Sequence, residues 1–414
     1  MEGPTFTLIE NGEVYAPEYL GRVPVLLSTE KILKVGEIDA EALWRVGLEV
    51  DVIDAEGCIV TPGFIDPHEH LLGGSGENGF SSQTPEIAAS EIVSAGITTV
   101  VGCLGADTRM KTLPGLLAKV KGLKEEGLNA HMWSGGYNIP PTCITDSIGG
   151  DLMFIDEVIG AGEIAIADER ASNPTAHELA RLAHETYVAG SLSNKAGVLH
   201  IHVGDGDERL SLLRTVIADH AVRPEWLYAT HINRSEKLMS DAIGLAKDGG
   251  FVDIDTVDGG LAECIKFYMD HSGWEEQLTV SSDASISSPQ NVLSQWRSCI
   301  LEHGLPLETM LRLVTSNTAR ALKLENKGRV AVDMASDVLV LKKSDLELRE
   351  VISRGRRLIR EGKLNFKERF LTESDRHIVL EGEKANGNGA NTKPEFTNGH
   401  RKQRPVETMV CDGK

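Results

Sequence analysis

Short apolar runs recur through the middle of the chain, and amphipathic stretches separate them. Eight of these runs are typical of β-strands, and they cover residues 60–66, 97–104, 128–134, 163–168, 198–204, 226–232, 250–255 and 278–284. Candidate helices such as TPEIAASEIVSAG follow them, and the spacing of about 30 residues fits successive βα units. The pattern predicts an α/β fold, a (β/α)8 TIM barrel, whose active site would lie at the C-terminal ends of the strands.

The two ends of the chain carry shorter strand patterns. Residues 5–60 contain an Asn-Gly hairpin signal in TFTLIENGEVY, and similar alternating runs return after residue 328 in GRVAVDMASDVLVLKK. We therefore expect a small β-sandwich domain built from both chain ends, residues 1–60 and 328–380, beside a barrel at residues 61–327. Residues 381–414 are polar and lack apolar periodicity, so we predict a disordered tail.

Composition and net charge argue against several kinds of partner. The 414 residues are 41% hydrophobic and 25% charged, as in an average globular protein. No apolar run approaches the roughly 18 residues that cross a bilayer, so no membrane partner is expected. The net charge of -20 repels phosphate backbones and argues against nucleic acid. The N-terminal segment lacks the basic and apolar regions of a signal peptide, which predicts a cytoplasmic protein.

The cysteines do not indicate a metal or disulfide framework. The six cysteines form no CxxC pair, so neither a structural zinc finger nor a disulfide scaffold is expected. Cys58 and Cys103 lie inside apolar runs, where a cysteine usually behaves as a small hydrophobic residue. We interpret them as buried reduced thiols.

The first predicted barrel strand ends in His68-Glu69-His70. Because side chains alternate along a strand, both imidazoles project to one side of the sheet, with Asp66 in line behind them. A chelating pair is geometrically natural, although two histidines in this spacing are more often ordinary polar residues at a strand end. The pair needs further ligands before it indicates a metal site.

Polar residues at the other predicted strands supply those ligands. Strands five, six and eight end in His202, His231 and Asp283, and strand four begins with Glu163, where an apolar strand would not otherwise carry an acid. Each residue taken singly is more often a polar group at a loop. Together they would converge on one pocket of a closed barrel, with the nitrogen and carboxylate ligands that zinc takes.

At this point the sequence resembles a known family. The segment PGFIDPHEH, followed by single His, His and Asp residues at later strand ends, is similar to the amidohydrolase superfamily of metal-dependent hydrolases. Within it the chain looks like the isoaspartyl dipeptidase family over roughly residues 5–365. The matching segments are GFIDPHEHLLGGSGENG, AGITTVVGCLGAD, GGYNIPPTCITDSI, VIGAGEIAIADERAS, ATHINR and SSDASISSPQ. The resemblance implies hydrolysis of β-aspartyl dipeptides by metal-activated water, with a small dipeptide-like substrate and a homo-oligomeric enzyme.

The resemblance also implies roles for individual residues. It makes metal ligands of His68, His70, His202, His231 and Asp283, and it places Tyr137, Glu77, Arg170, Arg234 and Ser287 at the substrate. We add Ser75, which occupies the glycine-rich loop after strand one, to the substrate-binding set.

The chemistry of these side chains agrees with those roles. Asp283 could act as ligand and general base, and Tyr137 could donate a hydrogen bond to the carbonyl oxygen as it gains charge. Arg170 and Arg234 could clamp a carboxylate, and Glu77 could pair with an α-ammonium group. An isoaspartyl residue presents both groups, because linkage through its β-carboxyl leaves both α-groups free.

The chain departs from the family pattern at strand four. The family has a lysine there that is carboxylated and bridges two metals, whereas this chain has Glu163 and no lysine between residues 125 and 194. We expect two Zn²⁺ ions per chain with Glu163 as the bridging ligand, and an activity that does not depend on bicarbonate. One tightly bound ion per chain would contradict bridging. Ala106 stands where the family has a hydroxyl, which weakens the fit at the leaving residue.

Two other functions stay open. Another amidohydrolase, such as a cyclic imide hydrolase or an N-acyl-amino-acid deacylase, would share the metal ligands but would not need Glu77. A barrel kept only as a binding protein is the second alternative, and the retained ligands argue against it.

Overall fold

Seven short strands and one helix begin the chain in the computed structural model, which describes residues 6–45, 47–74 and 77–374. They are β1 (Phe6–Glu10), β2 (Glu13–Tyr15), β3 (Tyr19–Arg22), β4 (Val25–Ser28), β5 (Ile32–Val35), α1 (Ala40–Arg45), β6 (Val50–Asp54) and β7 (Cys58–Pro62). The Asn-Gly hairpin prediction is wrong, because β1 pairs with β4 and β6 whereas β2 pairs with β3 and β7. The chain crosses between two sheets at this turn, and Ile9 and Val14 then enter the core between them.

A βα barrel follows. Its elements are β8 (Phe64–Glu69), α2 (Ala89–Ser94), β9 (Ile97–Gly102), α3 (Leu113–Glu126), β10 (Asn129–Ser134), α4 (Ile148–Phe154), β11 (Val158–Ile166), α5 (Ala176–Ser193), β12 (Leu199–Val203), α6 (Ser211–Asp219), β13 (Leu227–Thr230), α7 (Glu236–Lys247), β14 (Phe251–Asp255), α8 (Leu261–Asp270), β15 (Leu278–Ser281), α9 (Gln290–Leu301), α10 (Leu307–Val314) and α11 (Ser316–Ala321). Strands β8 to β15 are parallel neighbours in chain order, and a bridge between Glu69 and Ala284 joins the first to the segment after the last. The predicted TIM barrel is confirmed.

The last strands complete the β-domain. They are β16 (Val338–Lys342), β17 (Leu348–Ser353), β18 (Arg356–Arg360) and β19 (Lys363–Leu364), and α12 (Arg369–Glu373) follows. β16 pairs antiparallel with β7, with Val340 opposite Val60, so one sheet contains strands from both chain ends. A second sheet has the order β5-β4-β1-β6, and an apolar core lies between the two. This arrangement confirms the small β-domain built from both ends.

The domain limits predicted above stay predictions. The contacts between residues divide the chain into two compact units, Met1–Thr372 and Glu373–Lys414. The predicted tail at 381–414 lies outside the described residues.

Short 3₁₀ helices lie at Phe80–Ser82, Pro224–Trp226, Ile232–Arg234 and Glu275–Gln277. Among the described residues no helix combines the length and the apolar character needed to cross a membrane.

Apolar side chains close the barrel interior below the strand ends. The cluster includes Ile65, Val101, Trp133, Ile159, Tyr228 and Phe251. The Trp133 indole N–H donates to the Pro67 carbonyl oxygen at 3.0 Å, which satisfies the polar atom of this buried ring. This packed floor leaves the C-terminal ends of the strands as the open face of the barrel.

Strand β11 differs from its prediction. It begins at Val158, so Glu163 lies inside the strand instead of starting it. The sequence GAG before Glu163 resembles a turn, but here it forms a β-bulge, with one extra residue between Ala161 and Ile164 opposite β12. A Cβ on Gly162 would lie 2.6 Å from the His200 carbonyl oxygen, so glycine permits the close approach of the two strands. Bulges re-aim neighbouring side chains, and this one precedes Glu163 directly.

Candidate metal centre and substrate cavity

The six predicted metal ligands meet at the C-terminal face of the barrel. His68 lies in β8, Glu163 in β11 and His202 in β12, whereas His70, His231 and Asp283 follow the ends of β8, β13 and β15. His68 and Glu163 are fully buried, and the side chain of Asp283 is only 17% exposed. Residues separated by more than 200 positions are therefore neighbours, because the barrel closes.

The two oxygens of the Glu163 carboxylate face different pairs of histidines. Oε2 lies 3.3 Å from His68 Nε2 and 3.6 Å from His70 Nε2. Oε1 lies 2.8 Å from His202 Nδ1 and 3.2 Å from His231 Nε2. The carboxylate therefore lies between two groups of nitrogen atoms and contacts both.

Asp283 belongs to the first of these groups. Its Oδ1 lies 3.1 Å from His70 Nε2 and 3.4 Å from His68 Nε2. Its Oδ2 lies 3.9 Å from His231 Nδ1, so the side chain also borders the second group. The ligand atoms of His68, His231 and Asp283 are close enough together to hold a metal ion, and so are those of Glu163, His202 and His231.

The donor atoms fit divalent metal ions. Three buried atoms, His68 Nε2, Glu163 Oε2 and Asp283 Oδ1, make no hydrogen bond. Buried polar atoms that make no hydrogen bond are costly, and the convergence of these three on one point fits a cation as their shared partner. Imidazole nitrogen and carboxylate oxygen are ligands that zinc accepts.

Both carboxylates are held in the charged form that a metal requires. Burial opposes ionisation of Glu163, but the imidazoles of His68 and His202 hold the pKa of its carboxyl well below its usual range. Burial also opposes ionisation of Asp283, whereas His68 and His70 lower the pKa of that carboxyl. Both carboxylates are therefore available as charged oxygen donors.

Two aspartates orient histidines and were missed by the sequence interpretation. Asp168 Oδ2 lies 2.8 Å from His202 Nε2, and Asp255 Oδ2 lies 2.9 Å from His231 Nδ1. Such contacts fix the tautomer and leave the other ring nitrogen free to bind a metal. Asp168 and Asp255 are the last residues of the predicted apolar runs 163–168 and 250–255. An acidic residue at the end of a barrel strand was therefore the sequence feature that could have identified them.

Cys103 contacts the ring of His70, which is the most exposed of the four histidines. Its Sγ lies 3.6 Å from His70 Nδ1 and 3.5 Å from the Glu69 carbonyl oxygen, to which the thiol can donate. The sequence interpretation as a buried thiol is confirmed, and the structure adds that this thiol borders a predicted ligand. On β13, Thr230 Oγ1 lies 3.4 Å from His68 Nδ1.

A cavity of about 580 Å³ opens above these residues. Its walls include His70, His202 and Asp283 together with four predicted substrate residues, Glu77, Tyr137, Arg170 and Arg234. Ser287 is not among the lining residues, because its hydroxyl donates to the Asp283 carbonyl oxygen at 3.4 Å, and Ser285 lines the wall in its place. Ser75 lies outside the described residues.

Tyr137 points its hydroxyl at the centre. Its Oη lies 2.9 Å from His202 Nδ1, and its ring lies beneath the guanidinium of Arg170, at 5.3 Å. Burial and the nearby Glu163 carboxylate hold the pKa of Tyr137 well above its usual range. The phenol therefore keeps its proton at neutral pH and can donate a hydrogen bond.

Charged side chains of opposite sign lie together on the cavity wall. The Arg170 guanidinium donates to both oxygens of Asp168 at 2.8 Å and, through Nη1, to Glu77 Oε1 at 2.8 Å. Arg234 Nη1 lies 3.6 Å from Asp205 and 3.8 Å from Asp168. A carboxylate beside a guanidinium is complementary to a ligand with an ammonium and a carboxylate on one carbon atom.

Comparison with known proteins agrees with this geometry. The profile of the amidohydrolase family matches residues 59–410. A crystal structure of β-aspartyl dipeptidase from the keratin-degrading thermophile Fervidobacterium islandicum AW-1 is 37% identical, with a TM-score of 0.83 and coverage of 87% of this chain and 99% of that chain. A second, in complex with β-Asp-Leu dipeptide, is 36% identical, with a TM-score of 0.84 and coverage of 89% and 99%.

A curated relative is more distant. Adenine deaminase 2 from Rhizobium johnstonii is 25% identical over 399 residues, which is 88% of this chain and 60% of that protein. This chain aligns with only 35% to 60% of the full length of three curated relatives.

Proposed function

Because the chain belongs to the isoaspartyl dipeptidase family within the amidohydrolase superfamily of metal-dependent hydrolases, we propose that it cleaves the β-aspartyl bond of isoaspartyl dipeptides with two zinc ions. The observation that carries the proposal is the position of Glu163, each of whose oxygens faces its own pair of histidines. A carboxylate so placed can be shared by two cations. The β-Asp-Leu bound in the related crystal structure supports the choice of substrate.

The metal ions are assigned to two groups of ligands. By their mutual distances, His68, His70 and Asp283 would hold one ion, His202 and His231 the other, and Glu163 would contact both. When bound, the ions would polarise the amide carbonyl and lower the pKa of a water molecule toward neutrality. Glu163 is part of the chain itself, so the proposal includes no requirement for bicarbonate.

The side chains of the protein perform the proton transfers. Asp283 takes a proton from the attacking water and passes it to the nitrogen of the leaving residue as the C–N bond breaks. The Tyr137 hydroxyl donates a hydrogen bond to the carbonyl oxygen while that oxygen carries negative charge. The products are aspartate and one free amino acid.

Recognition of the aspartyl end uses the charged pair on the cavity wall. Glu77 pairs with the α-ammonium group, and Arg170 and Arg234 pair with the α-carboxylate. A substrate that bears both groups can replace the contact between Glu77 and Arg170 with one partner for each. An α-linked aspartyl peptide lacks the free α-carboxylate at this carbon, which gives selectivity for the β-linkage.

The test is a pair of isomeric dipeptides. We expect zinc-dependent release of leucine from β-Asp-Leu and none from α-Asp-Leu, measured by chromatography of the products. Asp283→Asn should lower kcat for β-Asp-Leu by at least about 100-fold, because the general base is lost. Equal hydrolysis of both isomers, or of neither, would overturn the proposed substrate.

One variant separates this function from the other amidohydrolase activities. Glu77→Gln removes the partner of the α-ammonium group and should raise KM for β-Asp-Leu. A cyclic imide or an N-acyl amino acid has no free α-ammonium group, so its hydrolysis would not depend on Glu77. Activity on such compounds that survives in Glu77→Gln would favour the alternative.

A further inference from the structure

The cavity contains one more arginine than the aspartyl end of the substrate requires. Arg109 lines the same cavity as Tyr137 and Asp283, and it lies on the loop that also carries Ala106. Within the described part of the chain, its guanidinium makes no hydrogen bond or ion pair. The chain has 62 acidic residues against 42 basic ones, so most arginines have an acidic partner available. An arginine that lines this cavity without such a partner is therefore suited to an anionic ligand.

The loop around Arg109 is held in place without using the guanidinium. Asp107 Oδ1 accepts the backbone N–H groups of Arg109 and Met110 at 2.9 and 2.8 Å, and Oδ2 accepts the amide of Gln83 at 3.2 Å. Lys111, the other cation of the loop, donates to the Leu72 carbonyl oxygen at 2.5 Å. Arg109 is thus the cation of this loop that is left for a ligand.

Charge matching identifies what that ligand carries. A β-aspartyl dipeptide has one ammonium and two carboxylates, of which Glu77, Arg170 and Arg234 account for the ammonium and the aspartyl carboxylate. The second carboxylate terminates the leaving residue, on the far side of the bond to be cut. Ala106 offers no hydroxyl to it, whereas Arg109, three residues further along, offers a guanidinium fork that suits a carboxylate.

Apolar side chains flank the same region. Phe80, Met110 and Ile286 line the cavity and are 84%, 64% and 72% exposed. They can contact an apolar side chain of the leaving residue without any change in the charged contacts.

We propose that Arg109 binds the free α-carboxylate of the leaving residue and so restricts the enzyme to dipeptides, a role that rests on the proposed β-aspartyl dipeptidase function. Arg109 is then a specificity-determining residue and takes no part in proton transfer. A peptide extended or amidated at this end has no carboxylate for Arg109 and is a poorer substrate.

The experiment compares β-Asp-Leu with β-Asp-Leu amide in steady-state kinetics of the full chain loaded with zinc. We expect the wild-type protein to prefer the acid, and Arg109→Ala to raise KM for the acid by about ten-fold, because the charge-assisted contact of an exposed arginine is lost. KM for the amide should stay within about two-fold, since the amide has no charge to lose. Arg109→Lys should restore part of the preference, because it keeps the charge.

Arg181→Ala is the matched control, since Arg181 is an exposed arginine on α5, away from the cavity. It should leave both KM values unchanged, and the melting temperature of each variant shows that it is folded. An unchanged ratio of acid to amide in Arg109→Ala, or an equal loss for both substrates, would overturn the role of Arg109 while leaving the dipeptidase function intact. Failure of the wild-type protein to cleave any β-aspartyl compound would instead overturn the proposed function and this role with it.

Discussion

At the scale of single residues, Glu163 has the largest consequence. A glutamate is shorter than a carboxylated lysine by about three bonds, so its backbone must lie closer to the ligands that it joins. The bulge in β11 and the contact of Gly162 with His200 bring two strands close together directly before Glu163. The carboxylate thereby contacts all four histidines although its side chain is shorter.

The substitution Glu163→Gln tests this role. The carboxamide keeps the shape of the side chain but has one oxygen acceptor and no negative charge, so it cannot serve two cations. We expect the zinc content, measured by elemental analysis, to fall from about two ions per chain to one or fewer, and metal affinity to fall by about 10- to 100-fold. Bicarbonate should not stimulate the wild-type enzyme.

The control for Glu163→Gln is Glu157→Gln. Glu157 lies directly before β11, and among the described residues its carboxylate contacts two lysines and no histidine. It should retain the full zinc content. Two tightly bound ions in Glu163→Gln would show that this carboxylate is not shared.

At the scale of elements, an ion pair connects helix α3 to the start of β11. Glu157 Oε1 accepts hydrogen bonds from Lys121 and Lys124 of α3 at 3.1 and 3.0 Å, and the side chain of Glu157 is 7% exposed. Burial by itself raises the pKa of Glu157, but the two lysines outweigh it and lower the pKa to about 2. Glu157 directly precedes β11, so this ion pair anchors the start of the strand to α3, away from the histidines of the proposed centre.

The ion pair predicts a pH-dependent contribution to stability. Because the pKa is lowered from 4.5 to about 2, the contribution is complete above pH 4.5 and is lost as the pH falls toward 2. Glu157→Gln should lower the free energy of unfolding at pH 7 by roughly 1 to 2 kcal/mol, less than the full shift implies, because solvent screens the lysines. Urea denaturation at pH 7 and pH 3.5 should show the difference shrinking at the lower pH.

Glu347→Gln provides the comparison for this measurement. Glu347 pairs with Lys342 at 2.8 Å, but both side chains are about half exposed, so its loss should change stability little at either pH. A difference between wild type and Glu157→Gln that is as large at pH 3.5 as at pH 7 would contradict the role of ionisation.

At the scale of the whole molecule, the proposed metal centre connects five barrel strands. Its ligands come from β8, β11, β12, β13 and β15 or from the residues that follow them directly. A ligand that binds only the folded chain stabilises it by mass action, by about 4 kcal/mol when its concentration is 1,000 times its dissociation constant. The centre should therefore contribute to the stability of the barrel as well as to catalysis.

Removal of the metal tests this contribution. We expect dialysis against a chelator to lower the melting temperature by about 5 to 10 °C in calorimetry, and zinc to restore it. Glu163→Gln should show a smaller shift, because it holds less metal. A melting temperature that does not change after elemental analysis has shown the loss of zinc would contradict a structural contribution.

The oligomeric state is a further property of the whole molecule. The family resemblance predicts a homo-oligomer, and the net charge of -20 predicts that nucleic acid is not a partner. Sedimentation analysis of the purified chain would measure its oligomeric state directly.

Much of the architecture could be read from local pattern. The eight apolar runs overlap the eight barrel strands, and the alternation of side chains correctly set His68 and His70 on one side of β8. Both features depend on neighbours along the chain, because periodicity and strand pleating act over a few residues. For the same reason the sequence alone determined the fold class and indicated which strand ends carry histidines and acids.

Tertiary structure decided which of those residues touch. The Asn-Gly turn joins two sheets instead of forming a hairpin, and the bulge at Gly162 places Glu163 between two histidine pairs. The contacts of Asp168 and Asp255 with histidines likewise depend on strands that are distant in sequence. Barrel closure and strand register set these distances, and neither is encoded in the period of a single strand.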